Sequence, residues 1–249
     1  MIDLSLRFYG DLNRLLSGPD SGPTIRRSLP APTSSKDLIE GCGIPHTEID
    51  LILVNSQPSD FSYLTADGDH FSIYPIFTHL EIPKHKRLQQ ITFNKPIFLV
   101  DVNLGKLARY LRIAGFDSAY ENNAKDDELI DQMQQENRIL LTRDRKLLMH
   151  SEVKTGFLPR SDDPTEQLEE VLQRFQLQNK VTLFTRCPRC NGSLKKVDKK
   201  QIIGELEPLT KRYFNTFAQC ADCGQIYWPG SHHQHLKNKL KNILNRLKN

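Results

Sequence analysis

The sequence has no long apolar run, since none of its hydrophobic stretches approaches the ~20 residues that a membrane-spanning helix needs. It also lacks the basic head and apolar block of a secretory signal, because its first residues alternate apolar with polar side chains. Internal repeats and low-complexity tracts are missing as well. These absences exclude membrane-spanning and repeat proteins, and they predict a cytoplasmic location.

Cysteine is scarce, yet its spacing is specific. Four of the 5 cysteines form two CxxC pairs, Cys187/Cys190 and Cys220/Cys223, and Cys42 stands alone. Each pair turns two thiolates toward one point, so two pairs can complete a tetrahedral sulfur shell around zinc. In a cytoplasmic chain such pairs indicate metal ligands before disulfides. The sequence therefore predicts a structural zinc ribbon and leaves Cys42 as a core or surface thiol.

Charge is unevenly distributed along the chain. Residues 1–80 hold 5 Lys and Arg against 10 Asp and Glu, whereas residues 180–249 hold 14 against 4. The basic end includes a final stretch whose apolar residues fall on one helical stripe. This end could bind a polyanion, most simply nucleic acid, or form a solvated surface, and the helix could also occupy a partner groove.

Hydrophobic patterning divides the chain into four segments. Residues 1–80 combine alternating strands with a short helix at Ser35–Glu40, which indicates an α+β fold similar to the β-grasp of ubiquitin-like and sulfur-carrier proteins. Residues 81–96 are predicted to be a basic linker, since they carry charge, two prolines and no sustained period. Residues 97–179 alternate strands with helices, and residues 180–249 contain the cysteine pairs and the basic helix.

The third segment predicts a parallel three-layer α/β sheet with right-handed crossovers. Ile97–Val100 is a continuous apolar run, typical of a strand buried on both faces, and helical apolar spacing follows it up to Gly115. Arg138–Thr142 and Gly156–Leu158 predict further strands, with one helix before the first of them and another after the second. Such alternation is typical of βαβ units.

Aspartates follow two of these strands. Asp101 ends the first apolar run, Asp144 follows the strand at Arg138–Thr142, and Asp126 and Asp127 stand where the helix between them begins. Ligands gather at the carboxyl ends of parallel strands, and carboxylates that converge there need a cation such as Mg²⁺ or Mn²⁺. Such a centre activates water for displacement at phosphorus. The alternative interpretation is structural, with turn residues after the strands and a helix cap at Asp126 or Asp127.

The same part of the chain resembles a known family. The residues that carry the likeness are Phe98-Leu-Val-Asp-Val-Asn-Leu-Gly-Lys-Leu-Ala-Arg-Tyr-Leu-Arg-Ile-Ala-Gly-Phe-Asp117, Asp126-Asp-Glu-Leu129, Ile139-Leu-Leu-Thr-Arg-Asp144, Arg160-Ser-Asp-Asp-Pro164 and Cys223-Gly-Gln-Ile-Tyr-Trp-Pro-Gly-Ser-His232. Over residues 97–235 this pattern is similar to the Mut-seven C-terminal RNase domain family. That family is PIN-like, carries a zinc ribbon and has a ubiquitin-like acidic module as a known N-terminal partner.

The resemblance implies a set of metal-binding acids. By position these are Asp101, Asp126 or its neighbour Asp127, and Asp144. PIN nucleases often have a fourth acid, and the candidates here, Asp162 and Asp163, are better explained as a helix cap. A site with three acids leaves weak or absent catalysis open.

Cations and aromatic residues beside these motifs are candidate RNA ligands. They are Lys106, Arg109 and Arg112 on the polar side of the first helix, Arg143 and Arg145 beside Asp144, and Lys195, Lys196 and Trp228 in the ribbon. Cations can bind phosphates, and an aromatic ring can stack on an unpaired base. The alternatives are a solvated surface for each cation and the ribbon core for the aromatic residue. Asn103 is predicted to cap the first helix, and His232, His233 and His235 are predicted to be exposed.

Together these features predict a metal-dependent endoribonuclease that hydrolyses RNA phosphodiester bonds and holds RNA with its basic ribbon and tail. A non-catalytic RNA-binding factor associated with tRNA or rRNA is the alternative. A sulfur-carrier role for residues 1–80 is rejected, since activation of those carriers needs a C-terminal Gly-Gly that this segment lacks. A docking or regulatory role is expected for it instead.

Overall fold

The computed structural model describes residues 1–16, 22–77, 83, 86–89 and 93–247. The strands in this part of the chain are β1 (Ile2–Phe8), β2 (Ile25–Leu29), β3 (Ile49–Val54), β4 (Gln57–Ser59), β5 (His70–Pro75), β6 (Ile97–Val100), β7 (Asp117–Ala119), β8 (Ile139–Leu141), β9 (Gly156–Phe157), β10 (Leu194–Val197), β11 (Phe217–Cys220) and β12 (Ile226–Tyr227). The α-helices are α1 (Ser35–Glu40), α2 (Gly105–Ala114), α3 (Asp126–Glu136), α4 (Arg145–Leu148), α5 (Pro164–Arg174), α6 (Lys199–Ile202), α7 (Pro208–Tyr213) and α8 (Ser231–Arg246). Parts of the predicted segments 1–80, 81–96 and 180–249 lie outside the described residues.

The described elements belong to two compact units. The first comprises residues 1–94 and 125–159, and the second comprises residues 95–124 and 160–249.

The first unit contains a five-stranded sheet in the order β2-β1-β5-β3-β4. β1 is antiparallel to β2 and parallel to β5, and β3 is antiparallel to both of its neighbours. Alternation along β1 buries Leu4, Leu6 and Phe8, and α1 contributes the buried Leu38 and Ile39. This mixed sheet with one short helix confirms the predicted β-grasp.

The hairpin between β3 and β4 turns at Asn55 and Ser56, whose φ angles are 50° and 66°. Two successive left-handed residues are typical of a type I′ turn, which matches the twist of the strands that it joins. The sequence pattern did not predict β4. Asn-Ser is a weaker turn signal than Asn-Gly, and β4 has only 3 residues.

Residues 125–159 contain α3, β8, α4 and β9, and β8 pairs in parallel with β9. Two buried polar residues of the β-grasp attach this stretch. His46 Nε2 lies 2.8 Å from the carbonyl oxygen of Val153, and Glu48 Oε1 accepts the N–H of Leu158 at 3.0 Å. The first unit is therefore held together across a long sequence separation by polar as well as apolar contacts.

The described part of the predicted linker is bound to the β-grasp. Arg87 forms an ion pair with Asp50, whose side chain is fully buried. The Asp50 carbonyl accepts the N–H of Leu88 at 2.8 Å, and the Gln89 amide donates to the carbonyl of His46 at 2.9 Å. A buried carboxylate needs such a partner, so Arg87 fixes this stretch to the first unit.

In the second unit β6 pairs in parallel with β7, and α2 packs against both strands and against α5. α2 ends at Gly115, whose φ is 98°. A Cβ at this position would lie 2.3 Å from the carbonyl oxygen of Thr182, so glycine is required there for shape as well as conformation. The parallel pairs β6/β7 and β8/β9, each with helices beside it, confirm the predicted α/β class with parallel strands.

α8 packs on α5 within the second unit. Leu240 and Ile243 of its apolar stripe are each 1% exposed, and Arg246 forms an ion pair with Glu169 of α5. The predicted stripe is therefore covered by the chain itself, and the exposed side of α8 is polar and basic. In the part of the chain that the structure describes, no helix has the length and apolar character to cross a membrane.

Candidate functional site

The four paired cysteines come together in the second unit. The Sγ atoms of Cys187, Cys190, Cys220 and Cys223 all lie within 4.8 Å of one another. The separation is 3.7 Å between Cys187 and Cys223, and 3.4 Å between Cys190 and Cys220. Tetrahedral sulfurs about 2.3 Å from a zinc ion lie roughly 3.8 Å apart, so the donor set fits Zn²⁺. Because the four sulfurs close the shell, a metal held here is structural.

The cysteine pairs flank a sheet of three antiparallel strands in the order β10-β11-β12. The first pair precedes β10, and the second lies at the end of β11 and in the turn to β12. Gly192 follows the first pair at a point of close approach. A Cβ there would lie 2.4 Å from Asp222 Oδ2 and 2.9 Å from Cys220 Sγ. The long excursion between the pairs, which the sequence left unassigned, folds into α6 and α7 and packs Ile202 and Leu206 against the sheet.

Hydrogen bonds favour the thiolate form of Cys187. Burial alone would raise the pKa of this thiol, but the Tyr227 hydroxyl, 3.1 Å from Sγ, and the N–H groups of Cys190 and Arg189 lower the pKa to about 7. Burial and contacts with the other thiols raise the pKa of Cys190 to about 12. Four thiolates cannot ionise together without a cation, and Zn²⁺ removes this penalty.

Arg112 binds the first cysteine knuckle from α2. It is 6% exposed, and its guanidinium donates to the carbonyl oxygens of Ser118 at 2.9 Å, Pro188 at 3.3 Å and Arg189 at 2.9 Å. The prediction that Arg112 lies on the polar side of the helix and binds RNA phosphate was wrong, because its donors are occupied by the protein backbone.

Asn191 and Arg186 attach the same knuckle to β7. Asn191, at φ 70°, accepts the N–H of Ser118 at 3.0 Å and donates to Asp117 Oδ1 at 2.9 Å. Arg186 forms an ion pair with Asp117 at 3.0 Å. The sequence does not reveal these contacts, since partners so distant in sequence leave no local pattern.

The two aspartates that follow strands each begin a helical turn. Asp101, 4% exposed, accepts the N–H of Val102 at 2.6 Å and begins the 3-10 turn Val102–Leu104. Asp144 is exposed and caps α4, where Oδ1 accepts the N–H groups of Lys146 and Leu147. The sequence placed both residues correctly after strands, but it did not predict α4.

The capping predictions for Asp126, Asp127 and Asn103 were wrong. Asp126 and Asp127 lie exposed in the first turn of α3, and the N-cap position is Lys125, whose N–H donates to Glu128. Asn103 lies inside the 3-10 turn, whose N-cap is Asp101. In both cases the N-cap lies one or two residues earlier in the sequence, and periodicity alone leaves a helix start uncertain by that much.

Asp163, one of the two candidates for a fourth acid, has a structural role as a helix cap. Asp163 caps α5 by accepting the N–H groups of Glu166 and Thr165, and these hydrogen bonds hold its pKa below the usual value. Asp162 beside it is exposed. The interpretation of Asp163 as a helix cap is confirmed.

The predicted acids do not all belong to one unit. Asp101 lies in the second unit, whereas Asp126, Asp127 and Asp144 lie in the first. Within the described residues, the four cysteines are the group of possible ligands gathered tightly enough to hold an ion. The acidic metal site therefore stays a prediction.

The remaining candidate RNA ligands differ in exposure. Lys106, Arg109, Arg143, Lys195 and Lys196 are exposed. Arg145 is half-buried, and its Nη1 donates to the carbonyl oxygens of Leu15 at 2.7 Å and Gly43 at 3.3 Å. Its phosphate role stays a prediction.

The aromatic and histidine candidates are grouped near the start of α8. Trp228 is 36% exposed. His232 and His235 are exposed as predicted, but His233 is half-buried and stacks on Phe184 with ring centroids 3.9 Å apart. Cys42 is a buried core thiol in the first unit, as one of the two interpretations proposed.

Comparison with protein families accounts for most of the chain. Residues 96–240, more than half of the sequence, match the model described as Mut7-C RNAse domain. The chain belongs to the Mut7-C RNAse domain family. Its first part, residues 1–81, matches a second model, described as Mut7-C ubiquitin. The resemblance noted from the motifs is therefore confirmed. No curated protein matches this Mut7-C chain.

Solved structures similar to this Mut7-C protein cover a third of it or less. One is the crystal structure of Haloferax volcanii small archaeal modifier protein 1, at 15% identity and a TM-score of 0.26, covering 31% of this chain and 100% of its own. Another, of SAMP1 from Haloferax volcanii, has 17% identity and a TM-score of 0.25 and covers 30% and 96%.

Proposed function

We propose that this Mut7-C protein is a metal-dependent endoribonuclease that hydrolyses RNA phosphodiester bonds in the cytoplasm. The observation that carries the proposal is the family match over residues 96–240, a range that includes every predicted acid. In this proposal Asp101, Asp144, and Asp126 or Asp127 hold Mg²⁺ or Mn²⁺. The basic ribbon and tail hold the RNA, with tRNA and rRNA as the first classes to test.

The acidic residues fit a hard divalent cation by their chemistry. Carboxylate oxygens are the ligands that Mg²⁺ and Mn²⁺ prefer, and one carboxylate has about four acceptor positions. The two hydrogen bonds by which Asp144 caps α4 both end on its Oδ1 atom. Asp126 and Asp127 are exposed in the first turn of α3. When bound, the cation lowers the pKa of water and neutralises charge at the phosphate.

Replacing Asp101 or Asp144 with asparagine is expected to reduce Mn²⁺-dependent RNA cleavage more than about 100-fold. Loss of even an outer hydrogen-bond partner of a metal ligand typically costs roughly 10- to 100-fold, so loss of a ligand should cost more. Asparagine caps a helix nearly as well as aspartate. The substitution therefore removes the negative charge while keeping the bonds to the N–H groups of Val102 and Lys146.

The measurement is product formation from single-stranded and structured RNA with Mn²⁺, with Mg²⁺ and without either, together with thermal unfolding of each variant. Asp131→Asn removes the same charge from an exposed position on α3 and should leave cleavage unchanged. Comparing Asp126→Asn with Asp127→Asn identifies which of the two is a ligand. The proposal is wrong when the zinc-bound wild-type chain gives no metal-dependent product, or when Asp101→Asn keeps the full rate.

One observation favours a second function, RNA binding without turnover. Asp101 and Asp144 both begin a helical turn, so each has a structural role that needs no metal. RNA binding that survives the loss of all the acids, with no product from the wild-type chain, would establish this function instead.

A further inference from the structure

An apolar groove lies within the second unit, and we call it the ribbon groove. Its volume is about 820 Å³, within the ~300–1,000 Å³ typical of ligand pockets. One wall is a face of the β10-β11-β12 sheet, another is the chain from Trp228 to His233, and Arg109 and Ile113 of α2 contribute a third.

One row of side chains across the ribbon sheet lines this groove. Lys196 of β10 pairs with Ala218 of β11, which pairs with Tyr227 of β12, and all three line the groove. Successive side chains of a strand point to opposite faces. The neighbouring Lys195 is accordingly not among the lining residues, although it is equally exposed.

The groove is apolar inside and positive at its rim. Arg109 and Lys196 are exposed cations on two different walls, and Trp228 stands partly exposed. No Asp or Glu occurs among the described residues that line the groove. An anionic group bound to a ring or another flat apolar body matches this arrangement of charge.

His233 adds an unsatisfied polar atom to the lining. Its Nδ1 is buried and has no hydrogen-bond partner among the described residues. Burial, and then the charge of Lys237, lower the pKa of His233, so the neutral ring is favoured. A neutral imidazole can donate or accept one hydrogen bond at this atom, which the polar edge of a base can supply.

We propose that the ribbon groove binds an unpaired nucleotide of RNA, with its base against Trp228 and its phosphates beside Arg109 and Lys196. This inference rests on the proposed function, because it specifies how that RNA is held. Aromatic rings stack on unpaired bases of any sequence, whereas a duplex keeps its bases paired inside the helix. The positive rim without carboxylates favours this occupant over an apolar peptide.

A pair of adjacent lysines tests the groove. Lys196→Glu is expected to weaken binding of a short single-stranded oligoribonucleotide about tenfold or more, as for loss of a charged hydrogen bond. Lys195→Glu makes the same change in net charge one residue away, on the other face of the sheet, and should have a clearly smaller effect.

Trp228→Ala should weaken binding roughly 5- to 150-fold, the range measured for one base stacked on an aromatic ring. Tyr213→Ala, at an aromatic residue 64% exposed on α7 outside the groove, is its control.

Trp228 also provides a direct signal, because the chain contains 1 tryptophan. Binding is measured on the full zinc-bound chain without added Mg²⁺ or Mn²⁺, so it does not depend on cleavage. Single-stranded RNA is expected to quench the Trp228 fluorescence, and a duplex of equal length is not.

Equal losses in Lys195→Glu and Lys196→Glu, unchanged fluorescence at saturating RNA, or quenching by an apolar peptide instead of RNA would each overturn the groove assignment. Groove binding without any metal-dependent product would overturn the nuclease proposal alone. Cleavage without groove binding would overturn this inference alone.

Discussion

Replacing Cys220 with serine is expected to abolish zinc binding and to unfold the ribbon. Structural zinc sites contribute about 10–16 kcal/mol of apparent binding free energy at neutral pH. The ribbon has little else to stabilise it, since its strands have 4, 4 and 2 residues and its core is the small cluster around Phe217 and Ile226. A sheet of this size is marginal without a staple. A strong chelator should therefore have the same effect as the substitution.

The measurements are zinc content by elemental analysis and hydrogen exchange of the backbone between Cys187 and Tyr227. Cys42→Ser is the matched control, because this buried thiol lies in the first unit. It should lower thermal stability somewhat without changing zinc content. Zinc should also be lost on acidification, since protons compete with the metal for the thiolates. Full zinc content in Cys220→Ser, or protection of the ribbon backbone after chelation, would contradict the prediction.

Replacing Arg112 with methionine is expected to destabilise the second unit by about 3–5 kcal/mol, as for removal of one partner from a buried charged network. Methionine keeps much of the apolar stem but leaves the carbonyl groups of Ser118, Pro188 and Arg189 without their donor. The substitution also removes a positive charge near the thiolates. Burial lowers the pKa of Arg112, and the neighbouring Cys190 and Cys187 oppose that shift. Zinc affinity should therefore fall as well, roughly 10- to 100-fold.

Arg109→Met is the control for this variant. Arg109 lies one turn earlier on α2 and is exposed, so its loss should leave thermal stability and zinc affinity unchanged. By the groove proposal it should weaken RNA binding instead. Arg112→Lys should not restore stability, because a single ammonium cannot reproduce the planar fork that reaches three carbonyls. Thermal unfolding midpoints and competition with a zinc indicator measure the two effects, and equal stability of the two methionine variants would contradict the assignment.

The sequence predicted the elements that have a strong local pattern. The bounds of β6 and α1 follow from a continuous apolar run and capping residues, and both are confirmed. The cysteine pairs were equally predictable, because CxxC spacing constrains the geometry of the thiolates wherever the intervening chain goes. The grouping of the four cysteines into one possible metal site was therefore predictable from the sequence.

The errors concern residues whose environment is set by distant parts of the chain. Arg109 and Arg112 lie close together on the polar side of a helix drawn from the sequence alone. In the structure, Arg112 donates to the carbonyl oxygen of Pro188 in the cysteine knuckle, some 76 positions later. Arg145, beside Asp144, donates from Nη1 to the carbonyl oxygen of Leu15, 130 positions earlier, a contact that no local pattern reveals. A short helix such as α4, with 4 residues, has too few positions to show a period. Tertiary contacts, and not local propensity, decide such cases.

α2 begins directly after the 3-10 turn that Asp101 caps, and Arg109 on α2 lines the ribbon groove. An α-helix advances about 1.5 Å per residue, so Arg109 stands roughly 6 Å along the axis of α2 from its first residue, Gly105. Leu107 and Leu111 are fully buried, which holds this span firmly against the core. Under the proposed function, a strand bound at Arg109 would meet Asp101 at a set distance, and breaks would fall a constant number of nucleotides from the bound base. The length of α2 would then determine the length of the RNA product.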